Sequence, residues 1–304
     1  MTLPRAGEEG EDGWTSRPLR CCRRPFLKHT DRLVWRGADS CHVASRRRRP
    51  RVEAVQDAGV VVTGAGGGIG AALARRFAAE GARVVVNDLD AGRARAVAEE
   101  IGGIALPGDA ATVVEPAREA LGGTVDVYCA NAGVGSGGSE AAAPEVWAQA
   151  WDVNVMAHVR AAQALLPDWL ERGRGRFVST VSAAGLLTMI GAAPYSVTKH
   201  GAYAFAEWLS LTYRHRGVSV HAICPQGVRT DMLAATGSAG DLVLKPTAIE
   251  PEDVAEALFK GIAEDRFLIL PHPEVARYYQ LRAGDPDRWL TQMNHLQRTW
   301  EANG

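Results

Sequence analysis

The stretch "GVVVTGAGGGIGAALARRFAAEGARVVVNDLD", residues 59–90, limits what this chain can fold into more than any other part of it. A β-branched run, Val60–Thr63, leads into a glycine cluster and then into a helical pattern with Ile69, Leu73 and Phe77 on one face. A second run, Val84–Val86, ends in Asn87–Asp88. Strand, helix and strand in this order make a βαβ unit, which needs a crossover and a sheet covered on both faces. Glycines at 64, 68 and 70 let the turn tighten and let the backbone approach a pyrophosphate at the helix N-terminus, with Ile69 inside the same cradle. Gly66 and Gly67 read as permissive turn residues.

Asp88 stands 18 residues after Gly70, at the C-terminal end of the second strand. A carboxylate there accepts hydrogen bonds from an adenosine ribose 2′-hydroxyl and repels a 2′-phosphate. No basic residue lies inside the glycine turn or directly after Asp88, so NAD is expected over NADP.

Charge divides the chain. Residues 1–51 carry thirteen basic side chains against six acidic ones, and residues 52–304 carry twenty-one against twenty-nine. The acidic body argues against nucleic acid or an anionic membrane as a main partner. No run approaches the length of a membrane span, and no apolar run follows the N-terminal charges as a secretory signal requires. Five scattered cysteines, Cys21, Cys22, Cys41, Cys129 and Cys224, suggest no disulfide framework, so a cytoplasmic location is expected. Residues 1–51 have no helical or strand period and end in "SRRRRPR". A basic arm for nucleic acid or targeting is one reading of them. A transit peptide is opposed by the acidic "GEEGEDG", and a metal site by the lack of paired cysteine spacing. The expected reading is a disordered tail or a mis-assigned start, with Val52 as the native beginning; no metal site is expected anywhere.

The next signals arrive in a recognisable order. "TGAGGGIG" at 63–70, "GDA" at 108–110, "CANAG" at 129–133 and the Tyr195/Lys199 pair resemble the short-chain dehydrogenase/reductase family, from about Val60 to Leu270. The resemblance implies an α/β fold: one doubly wound Rossmann domain over residues 52–272, its parallel sheet of about seven strands flanked by helices. A C-terminal helical extension, 273–304, would pack on it, broken at Gly284–Pro286. Asp109 and Ala110 would meet the adenine. Asn131 and Gly133 would support the cofactor floor, although Ala130 replaces the family's first asparagine. After the strand "VSVHAIC" comes "PQGVRTDM", where Val228 would contact the carboxamide by its backbone and Thr230 would reach the carboxamide or pyrophosphate. Gln226 stands between the proline and the glycine that the family usually joins, which leaves the loop's path open. The helix between Asp109 and Val125 is short for the family.

A helix is expected from about Pro144 to Glu171, then a strand ending at Ser182, then a helix whose i, i+4 spacing puts Tyr195 and Lys199 on one face. Asn154 matches the family's mid-helix asparagine, and Ser182 precedes Tyr195 by thirteen residues. Hydride transfer at an alcohol carbon needs a proton to leave or join the oxygen. A free phenol, with a pKa of about 10, is a poor base near neutrality, and a neighbouring ammonium plus the positive oxidised nicotinamide favours phenolate. The resemblance makes Tyr195 the general acid/base and Ser182 the group that orients the substrate oxygen. Lys199 would lower the phenol's pKa and hold the nicotinamide ribose, with Asn154 linking it to solvent. A lysine at 199 stands out in a chain with thirty arginines and four lysines, because a guanidinium suits such a relay poorly. His200 is left as structural.

Apolar side chains at Met232, Leu233, Leu242, Val243 and Leu244, facing Leu186, Leu187 and Met189, suggest an uncharged, partly apolar secondary alcohol or ketone as substrate, and core packing accounts for the same residues nearly as well. A homodimer or homotetramer through the helices carrying Asn154 and Tyr195 is the family expectation. The alternatives are an NADP-dependent ketone reductase, with Asp88 turned aside, and a non-catalytic dinucleotide sensor.

Overall fold

Val60, Val61 and Val62 are buried on both faces of their strand, as are Val84, Val85 and Val86, so these segments can only be inner strands of a covered sheet. The computed structural model describes residues 55–236 and 244–303. Seven strands form one sheet: β1 (Gly59–Thr63), β2 (Arg83–Asn87), β3 (Ile104–Ala105), β4 (Val127–Ala130), β5 (Gly175–Thr180), β6 (Val218–Ile223) and β7 (Leu268–Ile269). Their order is β3-β2-β1-β4-β5-β6-β7, and every pairing is parallel. The order reverses between β1 and β4, which opens a crevice at the carboxyl ends of those strands.

The helices are α1 (Gly68–Ala79), α2 (Ala91–Ile101), α3 (Val114–Ala120), α4 (Pro144–Trp151), α5 (Ala157–Arg172), α6 (Ala184–Leu187), α7 (Ala193–Tyr213), α8 (Asp231–Ala234), α9 (Pro251–Ala263), α10 (Pro273–Gly284) and α11 (Pro286–Asn303). Local chemistry sets their ends. Asp90 caps α2 by accepting from the Gly92 and Arg93 amides. Glu250 and Asp253 form a capping box on α9, and glycines at 102 and 173 close α2 and α5 in the left-handed conformation. The short α3 agrees with its reading from sequence, as does the break between α10 and α11.

Two apolar layers cover the sheet. On one side α1, α2 and α9 bury Leu73, Phe77, Val97 and Leu258; on the other α3, α5 and α7 bury Leu121, Leu165, Trp169 and Leu209. Trp169 is fully buried, and its indole N–H donates to the Val125 carbonyl at 2.7 Å. Truncating a side chain of that size costs about 3–5 kcal/mol. No helix among the described residues is long and apolar enough to cross a membrane. Residues 1–54 lie outside the described residues, as do Leu242 and Val243 of the expected substrate loop.

Candidate active site

The glycine turn sits under the crevice where the strand order reverses. Gly64 and Gly68 adopt φ of 60° and 51°, and a Cβ on Gly70 would lie 2.2 Å from the Gly64 carbonyl oxygen. The amides that open α1 have no side-chain cap and no acidic neighbour in the first turn. Such an uncapped helix start, reached through glycine backbone, suits a pyrophosphate. Gly66 differs from its reading as merely permissive. Its N–H donates to Asp88 Oδ2 at 2.9 Å, and a Cβ there would fall 2.9 Å from that carboxylate and 2.7 Å from Arg93 Cβ.

Thr63, which sequence reading passed over as the motif's first letter, ties the turn to the next strand. Its hydroxyl accepts from the Asn131 and Ala132 amides and donates to the Cys129 carbonyl. Asn131 answers with its side-chain amide on the carbonyls of Thr63 and Gly64. Asn87, buried at the end of β2, donates to the Leu106 and Gly108 carbonyls and so fixes the loop that carries Asp109 and Ala110. Asp109 is exposed, its Oδ1 accepting from the Ala111 amide; the Ala110 carbonyl accepts from the Tyr128 hydroxyl.

Across the crevice, Thr230 stands over the turn: a Cβ on Gly68 would come within 2.8 Å of its Cγ2. The next residue, Asp231, accepts from Arg93 at 2.8 Å. Arg93, at the start of α2, is a basic group near Asp88 that lies beyond the positions directly after that acid. Val228 is held by a bridge to Ile249 and accepts from the Thr230 hydroxyl through its carbonyl. The path left open by Gln226 is set by His272, a buried residue no motif singled out. Its Nδ1 accepts from the Gln226 amide at 3.1 Å and its Nε2 donates to the Gly227 carbonyl at 3.0 Å.

The second cluster lies beside this groove. Helix α4 runs into α5 through a π-helical turn, Asp152–Met156, with Asn154 buried inside it. Such turns insert an extra residue and redirect side chains, and hydrophobic periodicity does not reveal them. The Asn154 carboxamide accepts from the Val134 amide at 2.9 Å and donates to the Val134 carbonyl and the Thr198 hydroxyl. Gly133 leaves space between Asn154 and Lys199: a Cβ there would lie 3.1 Å from Asn154 Oδ1 and 3.4 Å from Lys199 Nζ. Strand β5 stops at Thr180, two residues before the expected end, so Ser182 stands on the turn beyond it. Ser182 Oγ accepts from the Ala184 amide at 3.0 Å and stands near the Tyr195 phenol, whose ionised form it favours. Lys199 is buried, donates to the Thr180 carbonyl at 2.9 Å, and lies 5.7 Å from the centre of the Tyr195 ring.

Burial raises the Tyr195 phenol above its ordinary value, and the Ser182 hydroxyl only partly opposes it. The penalty for burying phenolate thus outweighs what the chain's own groups do to favour it. Lys199 is pushed down to about 8, again by burial, with the nearby Cys224 thiol acting the other way. His158, one turn after Asn154, shares a hydrogen bond with Ser179 and is held neutral, at about 3, by burial and then by the Lys199 ammonium.

The apolar wall is also rearranged. Leu186 and Leu187 are buried in the core instead of facing Met232. Met232 approaches the loop after β4, its Cγ 3.2 Å from where a Gly135 Cβ would be, and Met189 is half-buried.

An uncapped glycine turn and a Ser–Tyr–Lys group on one crevice define an enzyme that moves hydride on and off a nicotinamide dinucleotide. Comparison with known proteins agrees. The family model described as short chain dehydrogenase matches residues 58–240. A 1-deoxy-11-beta-hydroxypentalenate dehydrogenase of Streptomyces exfoliatus is 34% identical over 254 residues, covering 77% of this chain and 90% of that one. A short chain dehydrogenase/reductase from Burkholderia phymatum, solved in complex with NAD, superposes with a TM-score of 0.70 at 27% identity, covering 77% of this chain and 95% of that one. A short-chain dehydrogenase from Sphingobium yanoikuyae, solved with NADPH, gives 0.65 at 26% identity, covering 76% and 94%. The chain belongs to the short chain dehydrogenase family. It is an NAD(P)-dependent oxidoreductase that interconverts an alcohol and a ketone.

Proposed function

We propose that the chain oxidises an uncharged, partly apolar secondary alcohol with NAD, or reduces the matching ketone, with Tyr195 as general acid/base. The observation that carries this reading is buried Lys199, 5.7 Å from the centre of the Tyr195 ring and tied to the Thr180 carbonyl, two residues before Ser182. When bound, the dinucleotide supplies or accepts the hydride at its nicotinamide. Gly64, Gly68, Ile69 and Gly70 would hold its pyrophosphate, and Asp109, Ala110, Asn131 and Gly133 its adenine side and floor. Val228 and Thr230 would hold the carboxamide end. Ser182 presents its hydroxyl to the substrate oxygen and keeps that oxygen beside the phenol. Tyr195 takes the hydroxyl proton as the alcohol is oxidised and returns it in reduction. Lys199 stabilises the phenolate through its charge, holds the ribose hydroxyls, and passes protons outward past Asn154. An apolar substrate suits Met189 and Met232, and the hydroxylated substrate named for the Streptomyces relative presents the same kind of bond.

NAD is favoured by Asp88, whose carboxylate is pinned at the groove by the Gly66 and Asp90 amides and cannot easily turn aside. Arg93 would attract a 2′-phosphate, but it is already paired with Asp231 and flanked by Asp90. The expected ratio of kcat/KM for NAD over NADP is about 100-fold, the scale of a like-charge clash in a closed site. Asp88→Ala should shrink that ratio at least tenfold, chiefly by improving NADP, because Arg93 is then the dominant nearby charge. Equal rates with both cofactors in the unaltered enzyme would remove the Asp88 argument.

We also propose that the enzyme works in the cytoplasm as a homo-oligomer joined through α4 and α7. Those helices pack on each other and still expose Trp151, Val197, Trp208 (52%) and Leu211 (77%). Apolar groups of that size grouped on one face suit a second copy of the chain. Light scattering should give the mass of two or four copies; a monomer at micromolar concentration would end this part of the proposal.

A further inference from the structure

The loop between the two reacting side chains, residues 188–192, is strained. Thr188 holds φ 68° with ψ 141°, a region that β-branched residues avoid, and Gly191 holds φ 69°. Backbone in such a state persists only when its surroundings over-determine it. Part of the restraint comes from the catalytic domain. Ser196 Oγ accepts from the Met189 amide, and Gly138 exchanges backbone hydrogen bonds with Gly191 and Ala193.

The rest comes from the C-terminal helices. Arg282 on α10 donates to the Leu186 carbonyl and, at 3.2 Å, to His200 Nε2. His200 Nδ1 in turn donates to the Ser196 carbonyl at 2.9 Å, so a single guanidinium links the loop's start to the helix carrying Tyr195 and Lys199. On α11 the Trp300 ring covers Gly191, its Cη2 3.1 Å from where a Cβ would stand. The pair is anchored beneath by Val275, fully buried, and by contact between the Tyr278 and Trp289 rings.

We propose that α10 and α11 form a clamp on the loop of residues 188–192, with Arg282 and Trp300 as specificity-determining residues for bulky alcohols. The inference rests on the reading of Ser182 and Tyr195 as the reacting end. A compact alcohol needs only those two groups. A larger one extends along residues 188–192 and depends on the loop keeping its strained course. Neither Arg282 nor Trp300 reaches the reacting atoms or the glycine turn, so their loss should leave cofactor binding and chemistry alone.

The test uses the full-length chain and NAD, with propan-2-ol as the compact probe and cyclic secondary alcohols from cyclohexanol to decalinol as the bulky ones. Trp300→Ala should raise KM for the bulkiest alcohol about tenfold, the scale of losing one well-fitted pocket contact. The KM for NAD, kcat, and kcat/KM for propan-2-ol should stay within about twofold. Trp300→Phe, which keeps a ring over Gly191, should restore most of the loss, and Arg282→Gln should reproduce the same split from the loop's other end. Uniform losses over all alcohols in both Trp300→Ala and Arg282→Gln would overturn the proposal, as would no loss or a gain for bulky alcohols. A parent enzyme that oxidises none of these alcohols would instead refute the underlying reading of the site.

Discussion

Tyr195→Phe should lower kcat for every alcohol by about 10²- to 10⁴-fold, the range supplied by a positioned general acid/base. The KM for NAD should change little, because the ring stays and only the hydroxyl is lost. Melting temperature should hold as well, since the half-buried Ser182 near that hydroxyl keeps its bond from the Ala184 amide. The structure makes this substitution demanding. Burial alone leaves the phenol harder to ionise than in water, so a working Tyr195 depends on added positive charge beside it. A measured kcat within fivefold of the parent, at any pH between about 6 and 10, would mean that the proton travels by another route.

Lys199→Met should cost about 10²- to 10³-fold in kcat/KM, the scale of removing one preorganised charge from a water-poor site. Its effect on stability should have the opposite sign. The ammonium is buried and its value lies near 8, below the ordinary 10.5. Between those two pH values the unfolded chain holds the proton that the folded chain has released, so unfolding becomes harder as pH rises through that window. Below 8 the folded state carries the whole cost of a buried charge. Methionine removes that cost, although it also loses the bond to the Thr180 carbonyl. The melting temperature of Lys199→Met relative to the parent should therefore be highest below pH 8 and fall steadily between 8 and 10.5. A difference that stays flat over that range would mean that Lys199 is not a strained charge.

Much of this was written in short-range pattern. Val60–Thr63, the glycines and Asp88 specify a βαβ unit because strand and helix periods are local, and Tyr195/Lys199 share a helix face for the same reason. The parallel sheet followed, and so did the helix break before Pro286. Contacts made across the chain stayed hidden. His272 reaches back 46 residues to Gln226, and Arg93 spans 138 residues to Asp231. Neither partnership leaves a periodic trace. The π turn at Asn154 rests on backbone hydrogen bonding inside an otherwise helical run, which residue types do not display. Leu186 and Leu187 stay open in the sequence because an apolar residue after a catalytic serine fits a pocket wall and a core equally well, and only burial separates the two. The phenol's ionisation follows the same division: spacing shows that an ammonium is near, but the cost of burial is a property of the folded site.

The central claim is direct hydride transfer between a carbinol carbon and the nicotinamide, with the hydroxyl proton leaving through Tyr195. The most direct measurement is to incubate the enzyme with NAD and a secondary alcohol deuterated at its carbinol carbon, then weigh the reduced dinucleotide by mass spectrometry. The account predicts NADH one mass unit heavier than that formed from the unlabelled alcohol, with the heavy product formed about 10²- to 10⁴-fold more slowly by Tyr195→Phe. Label released into water while NADH forms at its ordinary mass, or heavy NADH formed equally fast without the phenol, would contradict it.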